Sequence, residues 1–169
     1  TNMGNMFFAC RKLSEVNLSN FDTGSCENFG GIFQACSSLI EIDVSSFDIN
    51  NTNGYLGSMF QGCTSLISII GLDKFNTSKV TSTAHMFLDC PALSELDLSN
   101  WDFSNITTIT KTFGACTSLT KIILNNIIDT STREFGVGLR GALNTIPQPV
   151  EIVMDEIAMT DFSNLFQGV

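Results

Sequence analysis

A phenylalanine, a cysteine three residues on and a leucine three beyond that occur five times. The sets are Phe7-Cys10-Leu13, Phe33-Cys36-Leu39, Phe60-Cys63-Leu66, Phe87-Cys90-Leu93 and Phe113-Cys116-Leu119. The cysteines follow one another at intervals of 26, 27, 27 and 26 residues. So constant a period marks a repeat architecture, in which a small unit buries its apolar side against copies of itself. At 169 residues, with 43% hydrophobic and 15% charged, the chain has the apolar surface for one substantial core.

A net charge of −9 with only 8 Lys and Arg lacks the clustered basic residues on which phosphate binding depends. Nucleic acid is therefore excluded as a partner, and an anionic membrane would repel the chain. Apolar runs such as Ile122-Ile123-Leu124 fall far short of the ~18 residues needed to cross a bilayer, so no direct membrane insertion is expected. Met3, Met6 and Phe7 occupy positions held later by Thr83, Met86 and Phe87. The sequence thus opens in mid-repeat and reads as a fragment or processed product, in which the lack of a leader says little about compartment.

Within one unit, Val80, Thr83, Met86, Phe87 and Cys90 recur at offsets of 3, 6, 7 and 10, the stripe of an amphipathic helix. Equivalent sets are Cys26, Phe29, Ile32, Phe33 and Cys36, then Leu56, Met59, Phe60 and Cys63, then Ile106, Ile109, Phe113 and Cys116. Asp22-Thr23, Asn76-Thr77-Ser78 and Asp102 precede these stripes as expected helix caps. After each cysteine the period changes to two, as in Leu39-x-x-Ile42-x-Val44 and Leu93-x-x-Leu96-x-Leu98, which predicts a turn and a short strand. In the third unit Gly71 stands where a large apolar residue belongs and Leu72 comes one step late, so a β-bulge is expected there. Phe21, Phe47, Phe75 and Trp101, with Ile127 or Ile128 next, predict a second buried stack.

Leu39-Ile-Glu-Ile42-Asp-Val44 follows the first six positions of the leucine-rich-repeat consensus, but Phe47 stands where that consensus has Asn or Cys. Turns without an Asn ladder must find their hydrogen bonds through Ser, Thr and Asp side chains. The segments Leu93-Ser-Glu-Leu-Asp-Leu-Ser-Asn-Trp-Asp and His85-Met-Phe-Leu-Asp-Cys-Pro-Ala-Leu resemble the repeats of BspA-type leucine-rich-repeat surface proteins, in register over residues 3 to 128. This resemblance implies stacked strand–helix coils displayed on a cell surface, and adhesion to host proteins or to other cells. It names no ligand.

The sequence therefore predicts an α/β repeat fold: a right-handed leucine-rich-repeat solenoid of about six strand–helix coils with a parallel concave sheet. Residues 1–128 form the repeats. Residues 129–169 form a degenerate repeat and possible C-terminal cap, in which Phe135, Leu139 and Ala142 replace Phe29, Phe33 and Cys36 and Val150–Met154 alternates as a strand.

Enzyme chemistry finds little support. His85 is the single histidine, and no orienting partner is visible for general-base work. Gly136-Val-Gly138-Leu-Arg-Gly141 lacks the Lys-Ser or Lys-Thr of a phosphate loop. One cysteine per unit and no C-x-x-C pair argue against metal binding. Buried free thiols are expected, although disulfides between stacked units come within reach. No cofactor or metal is expected.

Alternation places Glu15 and Asn17, Glu41 and Asp43, Glu95 and Asp97, and Lys121 with Asn125, on the outward side of the strands. Stacked rows of acid on neighbouring strands repel one another. They are either solvated or complementary to a protein partner with a basic surface, with calcium between rows a lesser alternative. The expected function is a non-catalytic binding or display module, extracellular or at a cell surface. The alternative is a structural component of an assembly such as a phage virion or surface layer.

Overall fold

The segments that precede each cysteine are not helices. In the computed structural model, which describes residues 1–124 and 151–153, they run as overlapping four-residue turns. Cys10 N–H donates to Phe7 O at 3.0 Å and Leu13 N–H to Cys10 O at 3.0 Å, and the same bonds recur around Cys36, Cys63 and Cys116. The alternate amides leave the unit altogether. Phe7 N–H reaches Ile32 O at 2.9 Å, Phe33 N–H reaches Met59 O at 3.0 Å, Phe60 N–H reaches Met86 O at 2.9 Å and Phe87 N–H reaches Thr112 O at 2.9 Å. An α-helix would spend every one of these donors internally, four residues back. Here half of them tie each repeat to the one after it.

The backbone device that permits this is a left-handed residue every fourth position. One and five residues before each cysteine, φ is positive: at Asn5 and Ala9, Gly31 and Ala35, Ser58 and Gly62, His85 and Asp89, and Lys111 and Ala115. A left-handed residue costs roughly 1–2 kcal/mol where a Cβ is present, and the bonds to the neighbouring repeat offset it. Two further glycines, Gly54 (φ 91°) and Gly71 (φ 89°), lie outside this pattern. Each falls in one of the two 27-residue intervals.

Among the described residues there are five strands of three residues each: β1 (Glu41–Asp43), β2 (Ser68–Ile70), β3 (Glu95–Asp97), β4 (Lys121–Ile123) and β5 (Glu151–Val153). The sole helical element among them is a 3-10 turn, Leu72–Lys74. β1 and β2 pair in parallel as a two-stranded sheet, and β3, β4 and β5 as a separate three-stranded one. The predicted leucine-rich-repeat solenoid of strand–helix coils is therefore overturned, for want of an outer layer of helices and of a continuous concave sheet. Asp22, Asn76 and Asp102, expected as helix caps, accept instead from the amides of Gly24, Ser78 and Ser104, two residues on. Thr23 and Thr77 each donate a hydroxyl to the carbonyl of the next repeat's Asp48 or Asp102 and accept that residue's amide.

The core forms where the spacing predicted it. Phe33, Phe60, Phe87 and Phe113 are buried in one column with Phe7 at its end. Neighbouring rings lie 5.3–5.9 Å apart and within 7° of parallel, an offset-stacking distance that adds about 0.5–1.5 kcal/mol per pair beyond burial. The second aromatic column is buried at Phe47, Phe75 and Trp101 and half-buried at Phe21, and it leans on the first: Phe21 on Phe7 at 6.4 Å and Phe47 on Phe33 at 6.4 Å. Trp101 directs its indole N–H to Leu72 O at 2.8 Å. Glu41, Ile42 and Asp43 pair without a slip against Ser68, Ile69 and Ile70. The extra residue of the third repeat is thus absorbed after the strand, at left-handed Gly71 and its 3-10 turn, and not in a bulge. The alternating segment at Val150–Met154 supplies β5, which pairs with β4. The other features expected beyond Leu124, the cap among them, lie outside the described residues.

Candidate functional site

The strand face is built from three columns of outward side chains, counted from each cysteine. The column four residues on reads Ser14, Ile40, Ile67, Ser94, Thr120; the column five on reads Glu15, Glu41, Ser68, Glu95, Lys121; and the column seven on reads Asn17, Asp43, Ile70, Asp97, Ile123. The buried residues between them, Leu39, Ile42 and Val44 in β1's repeat, hold this face outward. Glu15, Asn17, Glu41, Asp43, Glu95 and Asp97 are all exposed and Lys121 is half-buried.

The acidic rows are interrupted, because the strand register sets Ser68 beside Glu41 and Ile70 beside Asp43. On the other sheet Lys121 lies beside Glu95 and Ile123 beside Asp97. The glutamates find partners across the strands: Ser68 Oγ donates to Glu41 Oε2 at 2.7 Å, and Lys121 Nζ donates to Glu95 Oε1 at 3.1 Å. Asn17, Asp43 and Asp97 use one side-chain oxygen to take the amide of Ser19, Ser45 and Ser99 at 3.0, 2.8 and 3.0 Å, which turns the chain out of the strand. Hydrogen bonds from the Ser45 side chain and amide, helped by the charge of Lys74, hold the Asp43 carboxyl below its ordinary range. An open depression of about 430 Å³ adjoins it, lined by Val16, Asn17, Leu18, Ser19, Asp43, Ser45 and Ser46.

Two features escaped sequence reasoning. Ile40, Ile67 and Ile70 stand exposed on this face; the replacement of an acid by Ile70 in its column was the available signal. The cysteines are more than small apolar fillers. Cys36, Cys63, Cys90 and Cys116 each donate Sγ–H to the carbonyl of the preceding repeat's Phe7, Phe33, Phe60 and Phe87, at 3.0–3.1 Å. All six thiols are free, with Cys10 exposed and the others buried. Burial pushes Cys36 up to about 11 and Cys63 and Cys116 up to about 12, with Cys90 raised further. At neutral pH these sulfurs are protonated donors, which suits them to bracing and not to nucleophilic attack.

His85 is half-buried at a left-handed position and donates its amide to Thr110 O at 2.9 Å. The glycine-rich Gly136–Gly141 segment lies outside the described residues. Among the described residues, no group of three or more His, Cys, Asp or Glu is placed to hold a metal ion, and no helix is long and apolar enough to cross a membrane.

No curated protein and no solved structure matches the chain. One family model matches it in two windows, residues 1–71 and 54–134. Each window holds three of the Phe-Cys-Leu sets, with the one at Cys63 common to both. The chain belongs to the family described as "Mycoplasma protein of unknown function, DUF285".

Proposed function

We propose that this chain is a non-catalytic binding or display module whose strand face meets a protein partner with a basic surface. The observation that carries this reading is the exposure of Glu41, Asp43, Glu95 and Asp97 on one side of repeats that are braced on the other. The bracing fixes the spacing of the exposed groups at no cost to their freedom to meet a partner. Complementary charge spread over several repeats steers encounter and fixes orientation. The resemblance to BspA-type repeats adds the setting: a cell surface or extracellular space, and adhesion as the purpose.

The test is a binding screen of the chain against an array of extracellular proteins, repeated with the Glu41→Lys, Glu95→Lys double variant. The glutamates are the positions to reverse, because Asp43 and Asp97 also hold turns. A partner whose signal falls at least tenfold on reversal supports the reading. A partner bound equally well by both proteins would show that this face is not the binding surface, and a screen without a saturable partner would sink the module itself.

A further inference from the structure

Three isoleucines stand exposed on two adjoining repeats of this face. Ile40 is 51% exposed, Ile67 52% and Ile70 45%. Ile67 N–H donates to Ile40 O at 2.8 Å, which sets the two on adjoining repeats, and Ile70 lies opposite Asp43 in the strand register. Elsewhere the same columns carry Ser14, Ser94 and Thr120, or Asn17, Asp43, Asp97 and the half-buried Ile123. Scattered single exposed apolar side chains are ordinary on protein surfaces. Three exposed apolar side chains on two adjoining repeats, with Glu41 and Asp43 on the neighbouring strand, have the composition of an interface centre with its polar rim.

The charge of the rim selects the occupant. Glu41 and Asp43 lie on the strand beside these isoleucines, and the Asp43 side opens onto the depression lined by both apolar Val16 and Leu18 and polar Ser19, Ser45 and Ser46. Lys121 is engaged with Glu95, on the other sheet. A second copy of the chain, at net charge −9, would bring acid against acid, and an anionic lipid or nucleic acid would meet the same repulsion. We propose that Ile40, Ile67 and Ile70 are the dry centre of a docking surface for a protein segment that presents aliphatic or aromatic side chains flanked by lysine or arginine. The apolar group covers Ile67 and Ile70, and a cation points toward Asp43 and the depression beside it. This rests on the binding-module reading and specifies where on the face, and to what chemistry, the partner docks.

The probe is a ten-residue synthetic peptide of alternating lysine and leucine, measured by fluorescence anisotropy at physiological salt. Two control peptides carry glutamate for lysine or serine for leucine. Saturable binding of the lysine–leucine peptide is expected, at least tenfold tighter than either control. The Ile67→Ser, Ile70→Ser double variant loses at least tenfold in that affinity while its thermal unfolding stays within a few degrees of the parent. Serine stands at positions equivalent to Ile67, as Ser14 and Ser94, and polar Asn17, Asp43 and Asp97 stand at those equivalent to Ile70, so the fold accommodates polar side chains at both. Equal binding of the probe by parent and double variant, or of the leucine and serine peptides by the parent, would overturn the proposal. The double variant is also run against whichever extracellular protein the array identifies. A partner lost on Glu41 and Glu95 reversal but indifferent to the isoleucines leaves the module reading standing and removes this one.

Discussion

Cys63 Sγ lies 3.1 Å from the carbonyl oxygen of Phe33, thirty residues earlier in the chain. That oxygen already accepts the amide of Cys36 at 3.1 Å, so one carbonyl joins a turn within its repeat to the side chain of the next. The relationship recurs for Cys36 and Cys90, and Cys116 makes the thiol bond to Phe87 O, whereas Cys10 is exposed. Removing an interior thiol deletes a donor and leaves a small void. Cys63→Ala and Cys90→Ala are expected to cost about 1–2 kcal/mol each by urea denaturation. Cys10→Ala should stay within about 0.5 kcal/mol.

The same burial predicts how stability and reactivity depend on pH. These thiols titrate at higher pH when folded than the ordinary value of 9.0. Above 9.0 the unfolded chain sheds protons that the folded chain keeps, so stability falls with rising pH. The contribution is whole below pH 9.0 and is lost as pH rises toward about 11 for Cys36 and about 12 for Cys63 and Cys116. Thermal melts from pH 7 to 11 should show a flat region and then a decline starting near 9. A thiol reagent at pH 8 should find Cys10 quickly in the native protein and all six thiols after denaturation; rapid native reaction of several would refute the buried ladder.

Gly71 is irreplaceable on two counts. Its φ of 89° disfavours any side chain, and a Cβ would come within 2.6 Å of the Ser45 backbone. Gly71→Ala should destabilise by about 2 kcal/mol or more, read as a shift in denaturation midpoint. Gly24→Ala, where the added Cβ meets nothing closer than 3.5 Å, serves as the control and should change little.

Trp101 is the single tryptophan and is 1% exposed, so native fluorescence should be blue-shifted and move red on unfolding. Trp101→Phe matches the residue type at Phe21, Phe47 and Phe75 but leaves Leu72 O without the indole donor. The expected cost is about 1–2 kcal/mol. A neutral outcome would mean that solvent or a shifted backbone replaces that bond.

Much of this was written in the spacing. Four of the five Phe-Cys-Leu triplets landed in the core, the exception being the first, whose Cys10 is exposed, and the period-two segments at Glu41–Asp43, Glu95–Asp97 and Lys121–Ile123 became strands in register one repeat apart. The helix was misread for a physical reason. Offsets of 3, 6, 7 and 10 are satisfied as well by overlapping four-residue turns as by a helix, and the two differ in where the amides go, which side-chain pattern does not record. Glycine marks the left-handed positions only at Gly31 and Gly62; Ala9, Ala35, Ala115, Ser58, His85 and Lys111 carry no such mark. The faint clue was that no β-branched residue occurs at any of these ten sites. On the candidate face Glu41, Asp43, Glu95 and Asp97 are exposed as alternation expected, but the expected rows of stacked acid left out the third repeat, where Ser68 and Ile70 interrupt them.

The turn role of the aspartates can be separated from binding. Asp97→Ala removes the acceptor for the Ser99 amide and should cost about 1 kcal/mol. Asp97→Asn keeps an oxygen there, as Asn17 does for Ser19, and should stay within about 0.5 kcal/mol. Equal losses in both variants, measured by urea denaturation, would make the charge and not the turn the stabilising element.

Gly54 and Gly71, the two left-handed glycines outside the regular pattern, show where the chain counts strictly and where it does not. The span from phenylalanine to leucine is six residues in every repeat, because ring, thiol and alternate amides must all meet the neighbouring unit at once. The added residues fall elsewhere: between Phe47 and Phe60 in one repeat, and between Ile69 and Phe75 in the next. The span around each cysteine thus acts as a ruler and the rest as slack. Single-residue insertions beside Gly54 or Gly71 should leave neighbouring repeats in phase, whereas one between Phe60 and Leu66 would put two interfaces out of step together.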